Sequence, residues 1–175
     1  SIAGSDSSGG AGVQADLKTF TVLGSYGASV LTCVSAQNTK GVTEIKNVGD
    51  ALFESQLKSL SEDLEPQAIK IGLIASSSQA KIIAKYLDRF KNSFRVYDPV
   101  RATTDGIEFF SEDEQSLIIK ELLPLLDLIT PNIPEAEEWL GMKIQTPEDM
   151  DVAVKRFIEY GAKAVFLKGG HYNSE

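Results

Sequence analysis

Short apolar runs alternate along this chain with amphipathic stretches, and each run stops at a glycine or a polar residue. Four runs have this form most clearly: residues 68–72, 94–99, 128–132 and 164–170. Strands that alternate with helices favour a parallel sheet covered by helices on both faces. The pattern therefore predicts an α/β fold, a three-layer αβα sandwich with a mostly parallel central sheet.

The first fifty residues predict a strand, a glycine loop, a helix and two further strands. Residues 2–3 are expected to end a strand, 4–10 to form the loop and 11–23 the helix. Residues 28–35 have the small and β-branched side chains of a buried strand, whereas 42–48 alternate poorly and predict an edge strand.

Apolar residues at helical spacing predict five more helices, at 51–64, 76–90, 112–126, 134–140 and 147–160. The predicted inward faces include Leu52 in the first of these helices and Val152 in the last.

Functional-looking residues stand where the later strands end. Gly72, Asp98, Asn132 and Lys168 each close one apolar run. In open parallel sheets, ligands bind in the crevice beyond the carboxyl ends of the strands. We therefore expect these four residues to converge on one rim and to serve a small molecule.

Length and charge limit the function further. A chain of 175 residues predicts one domain, residues 1–175, with a core of its own. The net charge is −8 and Lys and Arg form no basic run, so nucleic acid is not an expected partner. The sequence has no apolar run of about 18 residues, so no membrane partner is expected either.

Cysteine and histidine exclude some chemistry. Cys33 and His171 are the only residues of their types. The sequence therefore has no disulfide framework and no Cys-based metal site, and a reducing cytoplasm is the expected location.

The glycine-rich loop at residues 4–12 is the first candidate ligand site, because glycines let backbone amides approach a ligand. Its spacing nearly fits a P-loop, but Gly10 and Ala11 replace the expected Lys and Ser/Thr. The G-x-G-x-x-A string that begins at Gly10 does not directly follow a strand, and Gln37 stands where a dinucleotide site has an acid. The alternative is a flexible connection from strand to helix.

Two polar side chains near this loop could contact a ligand. Asp16 falls on the apolar stripe of its helix, where an unpaired carboxylate would be costly. It contacts either a ligand or local backbone amides near the helix N-terminus. The amide of Gln37 suits a heterocycle with ring nitrogens and an amino group, although hydrogen bonds within the loop would also explain it.

The later strand ends carry groups suited to a nucleotide. Asn132 and Glu135 have the spacing of a helix capping box, and Glu135 could also hold a cluster of Mg²⁺ and water. Lys168 is a point charge suited to phosphate, or a lysine whose stem covers apolar surface.

Several strings together resemble the hydroxymethylpyrimidine/phosphomethylpyrimidine kinases of thiamine biosynthesis, which belong to the ribokinase superfamily. The opening string at residues 2–20 is the specific part. The match continues in order through 36–39, 70–72, 98–100, 130–137 and 167–171.

The resemblance implies a ribokinase-like fold and two phosphorylations that use ATP and Mg²⁺. They act on 4-amino-5-hydroxymethyl-2-methylpyrimidine and then on its monophosphate. By position, the pyrimidine would contact Gly4, Asp16, Gln37, Leu73 and Val100. The ATP phosphates and Mg²⁺ would face Asp98, Asn132, Glu135 and Lys168. A homodimer is expected, although no residue decides the oligomeric state.

The chain also departs from the family pattern. Ser7 stands where the family usually has Pro, and Leu73 stands where it often has Met. Residues 101–106 stand where the family usually has a Met-Val-Ala run, close to the phosphates. The family's Gly-Thr-Gly-Cys loop, which supplies the anion hole and the catalytic base, is absent and is expected beyond Glu175. The fold is therefore expected to be partial at both ends, and residues 1–175 alone are expected to be inactive.

Three alternatives remain open at this point. Pyridoxal kinase, within the same superfamily, also takes a hydroxymethylated aromatic heterocycle. A non-catalytic sensor of a pyrimidine or of pyridoxal phosphate would keep the pocket and lose the transfer. An NAD-binding oxidoreductase rests only on the G-x-G-x-x-A string.

Overall fold

A computed structural model describes residues 1–100 and 111–170 of the chain, without the side chain of Glu112. The strands are β1 (Ile2–Asp6), β2 (Val30–Asn38), β3 (Gly41–Asn47), β4 (Ala68–Ile71), β5 (Phe94–Tyr97) and β6 (Leu128–Ile129). The α-helices are α1 (Gly12–Val22), α2 (Asp50–Asp63), α3 (Ser77–Leu87), α4 (Glu112–Leu122), α5 (Ile133–Leu140) and α6 (Pro147–Glu159). The departure at 101–106 and His171 lie outside the described residues.

Within residues 1–100 and 111–170, six strands form one sheet in the order β3-β2-β1-β4-β5-β6. Only β3 is antiparallel to its neighbour; the other pairs are parallel. The chain leaves β1 for β2 on one side and later returns to β4 on the other. The gap between the carboxyl ends of β1 and β4 is therefore a topological switch point, the position where open α/β sheets bind ligands. The predicted α/β architecture is confirmed.

Helices cover both faces of the sheet, and the right-handedness of parallel crossovers decides which face each helix covers. The β1–β2 and β4–β5 connections run in opposite directions across the sheet, which puts α1 and α3 on opposite faces. On the face opposite α1, helix α3 packs between α2 and α4. One apolar cluster extends from Ile2 in β1 to Ala162 after α6. No helix within the described ranges is long and apolar enough to cross a membrane.

Some predicted boundaries are wrong. The second strand starts at Val30 and continues to Asn38, because its last residues pair with β3 in a hairpin. Gly4 lies within β1, at a register irregularity, and not in the loop. The fourth helix ends at Leu122 and continues as a 3₁₀ turn (Leu123–Leu125), since Pro124 has no N–H to donate.

The predicted strand at 164–168 forms only isolated parallel bridges, from Val165 to Ile129 and from Lys168 to Asn132. Two inward assignments are also wrong, since Leu52 is 63% exposed and Val152 is 42% exposed. Each lies beside the buried stripe of its helix, which passes through Phe53 in α2 and Phe157 in α6.

Candidate functional site

A cleft of about 750 Å³ opens at the carboxyl ends of β1, β2, β4 and β5. Six of the predicted site residues line it: Gly4, Asp16, Gln37, Leu73, Asp98 and Val100. Asn132, Glu135 and Lys168 stand at the neighbouring strand end and reach the cleft through a contact between Lys168 and Asp98. Of the four residues predicted to share one rim, Asp98 lines this cleft and Asn132 and Lys168 lie next to it, whereas Gly72 is not among the lining residues.

The glycine loop is organised by Asp6, whose carboxylate is buried at the end of β1. It accepts hydrogen bonds from the backbone N–H groups of Ser8 (2.8 Å), Gly10 (3.0 Å) and Ala11 (2.8 Å). Burial opposes ionisation, but the bonds from Ser8, Ala11 and Gly10 outweigh it and lower the pKa of Asp6. The expectation that these amides face a ligand is therefore wrong for these three groups, because the chain's own carboxylate takes them.

Two glycines allow the loop to pack closely against β1. A Cβ on Gly12 would lie 2.3 Å from the carbonyl oxygen of Gly4, and Gly12 has φ +58°. A Cβ on Gly4 would lie 2.8 Å from Sγ of Cys33 and 3.2 Å from a methyl group of Leu73. At these two positions the backbone itself forms the wall of the cleft.

Asp16 projects from α1 into the cleft and is paired there. Its two carboxylate oxygens each lie 3.1 Å from Nζ of Lys70 in β4, and Ser1 Oγ donates a bond of 2.6 Å to Oδ2. The partner of Asp16 is therefore a lysine of the neighbouring layer, and the alternative of backbone amides at the helix N-terminus is wrong. A charged pair in this position leaves both groups facing the cleft.

Gln37 is attached to the glycine loop through Ser7. The Ser7 hydroxyl donates to the carbonyl of Gln37 (2.6 Å) and accepts from its N–H (2.8 Å), while Ser35 Oγ lies 3.3 Å from Oε1 of the Gln37 side chain. A proline at position 7 could make neither hydroxyl bond. The departure at Ser7 therefore joins two sides of the cleft mouth.

The β5–β6 end of the cleft is built around Asp98, directly after β5. Its Oδ1 accepts from Nζ of Lys168 (2.9 Å) and from the hydroxyl of Thr130 (3.3 Å). The Lys168 ammonium also lies 3.9 Å from Glu135 Oε2. Lys168 is therefore an ion-pair partner of two carboxylates and not a snorkelling side chain.

Asn132 and Glu135 form the predicted capping box of α5. Asn132 Oδ1 accepts from the N–H of Glu135 (2.8 Å), and Glu135 Oε2 accepts from the N–H of Asn132 (2.7 Å). Burial raises the pKa of Glu135, although the Asn132 N–H and the Lys168 ammonium act in the opposite direction. The cap holds this carboxylate beside Asp98 and Lys168.

The carboxylates around Lys168 are candidate ligands for a metal ion. Within 1–100 and 111–170, no group of three or more His, Cys, Asp or Glu side chains converges as a metal site. Asp98 and Glu135 nevertheless put two carboxylates around one ammonium. Mg²⁺ is commonly bound by one or two carboxylates together with waters and substrate phosphates, and this pair fits that pattern.

Sequence reasoning gave no role to Asp6 and Lys70, which line the cleft, or to the Ser7 hydroxyl, which joins the loop to Gln37. Lys70 had a visible signal, because it is a charged residue between Ile69 and Ile71 in a strand of four residues. Asp6 and Ser7 had none, since their partners depend on how the loop folds over β1 and β2.

Fold and cleft together define a class, an α/β protein with a small-molecule site at the switch point of its sheet. The phosphomethylpyrimidine kinase family model matches residues 6–175. The chain belongs to this family.

Individual relatives support the same family membership. A hydroxymethylpyrimidine/phosphomethylpyrimidine kinase of Rhizobium meliloti (strain 1021) is 43% identical over 176 residues, which cover 100% of this chain and 66% of that protein. The crystal structure of a phosphomethylpyrimidine kinase from Clostridium difficile 630 has a TM-score of 0.90 and 43% identity, covering 99% of this chain and 75% of that chain.

A pyridoxal kinase is also similar. The Staphylococcus aureus enzyme in complex with AMP-PCP and pyridoxal has a TM-score of 0.85 and 34% identity, covering 97% of this chain and 61% of that chain. The fold is therefore ribokinase-like. The chain spans about two thirds or less of the curated relatives that it matches.

Proposed function

We propose that this chain forms the substrate-binding part of an ATP-dependent kinase for 4-amino-5-hydroxymethyl-2-methylpyrimidine and its monophosphate, in thiamine biosynthesis. The observation that carries the proposal is the single cleft that joins Asp16 and Gln37 to Asp98. The names of the similar proteins support the substrate, and the AMP-PCP complex of the pyridoxal kinase supports ATP.

The two ends of the cleft have different tasks. Gly4, Asp16, Gln37, Leu73 and Val100 bind the heterocycle at the β1–β2 end. Asp98, Asn132 and Lys168 bind the ATP phosphates at the β5–β6 end, and Glu135 with Asp98 holds Mg²⁺. The metal, when bound, neutralises phosphate charge. In each transfer the substrate oxygen forms a bond to the γ-phosphorus, and the bond from that phosphorus to the departing ADP breaks.

Lys168 is the residue placed to meet the charge that develops on the phosphoryl oxygens. Phosphoryl transfer depends on positioning and on electrostatic stabilisation more than on covalent chemistry of the protein. The carboxylates of Asp98 and Glu135 hold the ammonium in place before any ligand arrives. No catalytic base is assigned among the described residues.

A binding experiment separates the two ends. Asp16→Asn should weaken pyrimidine binding about tenfold or more and leave AMP-PCP binding unchanged, and Lys168→Met should do the reverse. Calorimetry measures both, with the surface variant Lys85→Met as control, since Lys85 pairs with Glu54 away from the cleft. If both variants weakened both ligands equally, the division of the cleft would be wrong.

Turnover tests the reaction itself. The protein that carries this chain should convert ATP to ADP only when the aminopyrimidine and Mg²⁺ are both present. Binding of the pyrimidine without any turnover would favour the sensor.

Pyridoxal kinase is the second candidate, favoured by the similarity to the pyridoxal-bound Staphylococcus aureus enzyme. A competition assay with the aminopyrimidine and pyridoxal at equal concentration decides between them. A larger kcat/KM for pyridoxal would replace the proposed substrate.

We also propose a single domain, a cytoplasmic location and a homodimer. Cys33 is a buried free thiol, and free thiols are what a reducing compartment maintains. Val22, Leu23 and Tyr26 at the end of α1 are 85%, 74% and 90% exposed, and a two-fold contact would cover them. Sedimentation equilibrium, with Tyr26→Asp for comparison, tests the dimer.

A further inference from the structure

The ion pair between Asp16 and Lys70 links helix α1 to strand β4 inside the cleft. Each oxygen of Asp16 lies 3.1 Å from Nζ of Lys70, and the two side chains are 16% and 27% exposed. Both residues line the cleft. Both members of the pair are therefore accessible from the cleft.

Gly72 leaves the space that Lys70 needs. A Cβ at Gly72 would lie 3.0 Å from Nζ of Lys70 and 3.1 Å from Cβ of Ala3. Real Cβ contacts are rarely so short, so a side chain at position 72 would push the ammonium aside. The glycine at the strand end thus keeps the lysine directed at Asp16.

The pair has hydrogen-bonding capacity left over. An ammonium has three donors, and Lys70 uses at most two of them on Asp16. A carboxylate has about four acceptor positions, and Lys70 and Ser1 account for three on Asp16. One donor and one acceptor therefore remain side by side, on atoms that lie 3.1 Å apart.

We propose that Lys70 is a specificity-determining residue that, together with Asp16, binds the edge of a neutral heterocycle in which an amino group stands next to a ring nitrogen. This inference rests on the proposed function. The amino group donates to the free position of Asp16, and Lys70 donates to the ring nitrogen. Asp16, one of the residues that the resemblance puts against the pyrimidine, thus acts together with Lys70.

Charge supports the same ligand class. An unpaired Asp16 would favour a protonated, cationic ring, whereas the Asp16–Lys70 pair has no net charge and Lys70 repels a cation. Pyridoxal lacks this edge, because a methyl-bearing carbon separates its ring nitrogen from its hydroxyl group. Lys70 therefore favours the aminopyrimidine over the pyridine.

The experiment measures calorimetric affinities for two probes, 4-amino-5-hydroxymethyl-2-methylpyrimidine and (6-methylpyridin-3-yl)methanol, which is the same compound without its amino group and without the ring nitrogen next to it. Wild type should prefer the amino compound about tenfold or more, since leaving polar groups of the site unpaired is costly. Lys70→Met should lose about tenfold in affinity for the amino compound and most of the preference. Lys70→Gln, which keeps an N–H donor, should recover part of both.

Lys85→Met is the matched control, because it removes a lysine whose ion pair lies outside the cleft. Its affinities should equal those of wild type. Circular dichroism shows which variants are folded, and if Lys70→Met is not, Lys70→Gln decides the question.

Two results overturn the inference. If the folded Lys70 variants bound both probes as wild type does, Lys70 would not contact the ligand. An equal loss for both probes would make Lys70 structural only. Both results leave the proposed function in place, whereas failure of wild type to bind either probe would remove the proposed function and this inference together.

Discussion

At the scale of single residues, the buried carboxylate of Asp6 and the partly buried carboxylate of Glu135 are in opposite electrostatic situations. Asp6 accepts three backbone N–H bonds and a hydroxyl bond from Ser8. Glu135 accepts one backbone N–H bond and lies 3.9 Å from an ammonium. Hydrogen bonds dominate at Asp6 and burial dominates at Glu135, so their pKa values move in opposite directions.

Replacing Asp6 should destabilise the protein in a pH-dependent way. Asp6→Asn leaves part of the loop amides without an acceptor and should lower the free energy of unfolding by about 1–2 kcal/mol at neutral pH. Because the folded pKa of Asp6 lies below its ordinary value of 3.8, its stabilising effect is complete above that value. The effect is lost as the pH falls through the folded pKa.

Urea titrations of wild type and Asp6→Asn at several pH values measure this difference. Asp151→Asn is the control, since Asp151 is exposed on α6. An undiminished difference in strong acid would show that the charge of Asp6 does not stabilise the loop.

Replacing Glu135 should have the opposite pH dependence. Burial raises the folded pKa of Glu135 above 4.5, so ionisation favours the unfolded state, and the stability of wild type decreases as the pH rises through this region. Glu135→Gln keeps the acceptor for the Asn132 N–H and removes the buried charge. The variant should match wild type in acid and become the more stable protein toward neutral pH.

The same variant should also bind AMP-PCP less tightly when Mg²⁺ is present, because one of the two carboxylates proposed for the metal is gone. Thermal unfolding and calorimetry measure the two effects. A Glu135→Gln protein that is less stable than wild type at pH 7 would contradict the assignment of burial as the dominant cause.

At the scale of elements, the start of α1 depends on a glycine that has two separate constraints. Gly12 has φ +58° and a Cβ there would lie 2.3 Å from a backbone oxygen. Gly24, just after α1, has φ +74° with open space around it. Both glycines therefore have a left-handed backbone conformation, but only at Gly12 would a Cβ also collide with a neighbouring backbone atom.

Alanine substitution at both positions separates these constraints. Gly24→Ala should cost about 1–2 kcal/mol from the left-handed backbone alone. Gly12→Ala should cost about 3 kcal/mol or more, because overpacking against β1 adds to the same penalty. Chemical denaturation measures both, and equal costs would mean that the loop moves away from β1 without resistance.

Sequence patterns predicted elements well where periodicity and packing agree. The α5 helix combines an Asn-to-Glu capping box with Pro134 in its first turn, and both are present as predicted. Where tertiary contacts decide, prediction failed. The hairpin extended β2 beyond its apolar part to Asn38, and the predicted strand near Val165 makes only isolated bridges.

The site was predictable to a similar extent. Convergence at the strand ends follows from the parallel topology, which the alternation of strands and helices indicates. The partners within the site do not follow from it. The Asp16–Lys70 pair joins residues 54 positions apart, and Asp98–Lys168 joins residues 70 apart. Side-chain direction and the clearance at Gly72 decide such contacts, and neither is visible in a pattern of polar and apolar residues.

At the scale of the molecule, one apolar cluster connects the sheet to helices α2 to α6, and Trp139 lies within it. Trp139 is the only tryptophan, is 3% exposed and meets Tyr97 edge-on at 5.7 Å between ring centroids. Its fluorescence therefore reports on the core where α5 packs against the sheet. Far-UV circular dichroism reports on all helices and strands at once.

We expect these two signals to follow the same unfolding curve in urea, because a single contiguous core unfolds as one cooperative unit. Two substitutions far apart test this. Ile71→Val in β4 should cost about 1 kcal/mol and Phe157→Leu in α6 about 1–2 kcal/mol. Each should lower the midpoint of both signals by the same amount and leave the slope unchanged.

If Phe157→Leu shifted the fluorescence curve and Ile71→Val only the dichroism curve, the β1–β4 side proposed to bind the heterocycle and the β6–α6 side that carries Lys168 would unfold separately. The two halves of the cleft would then belong to different folding units, and their mutual positions would depend on an interface and not on a shared core.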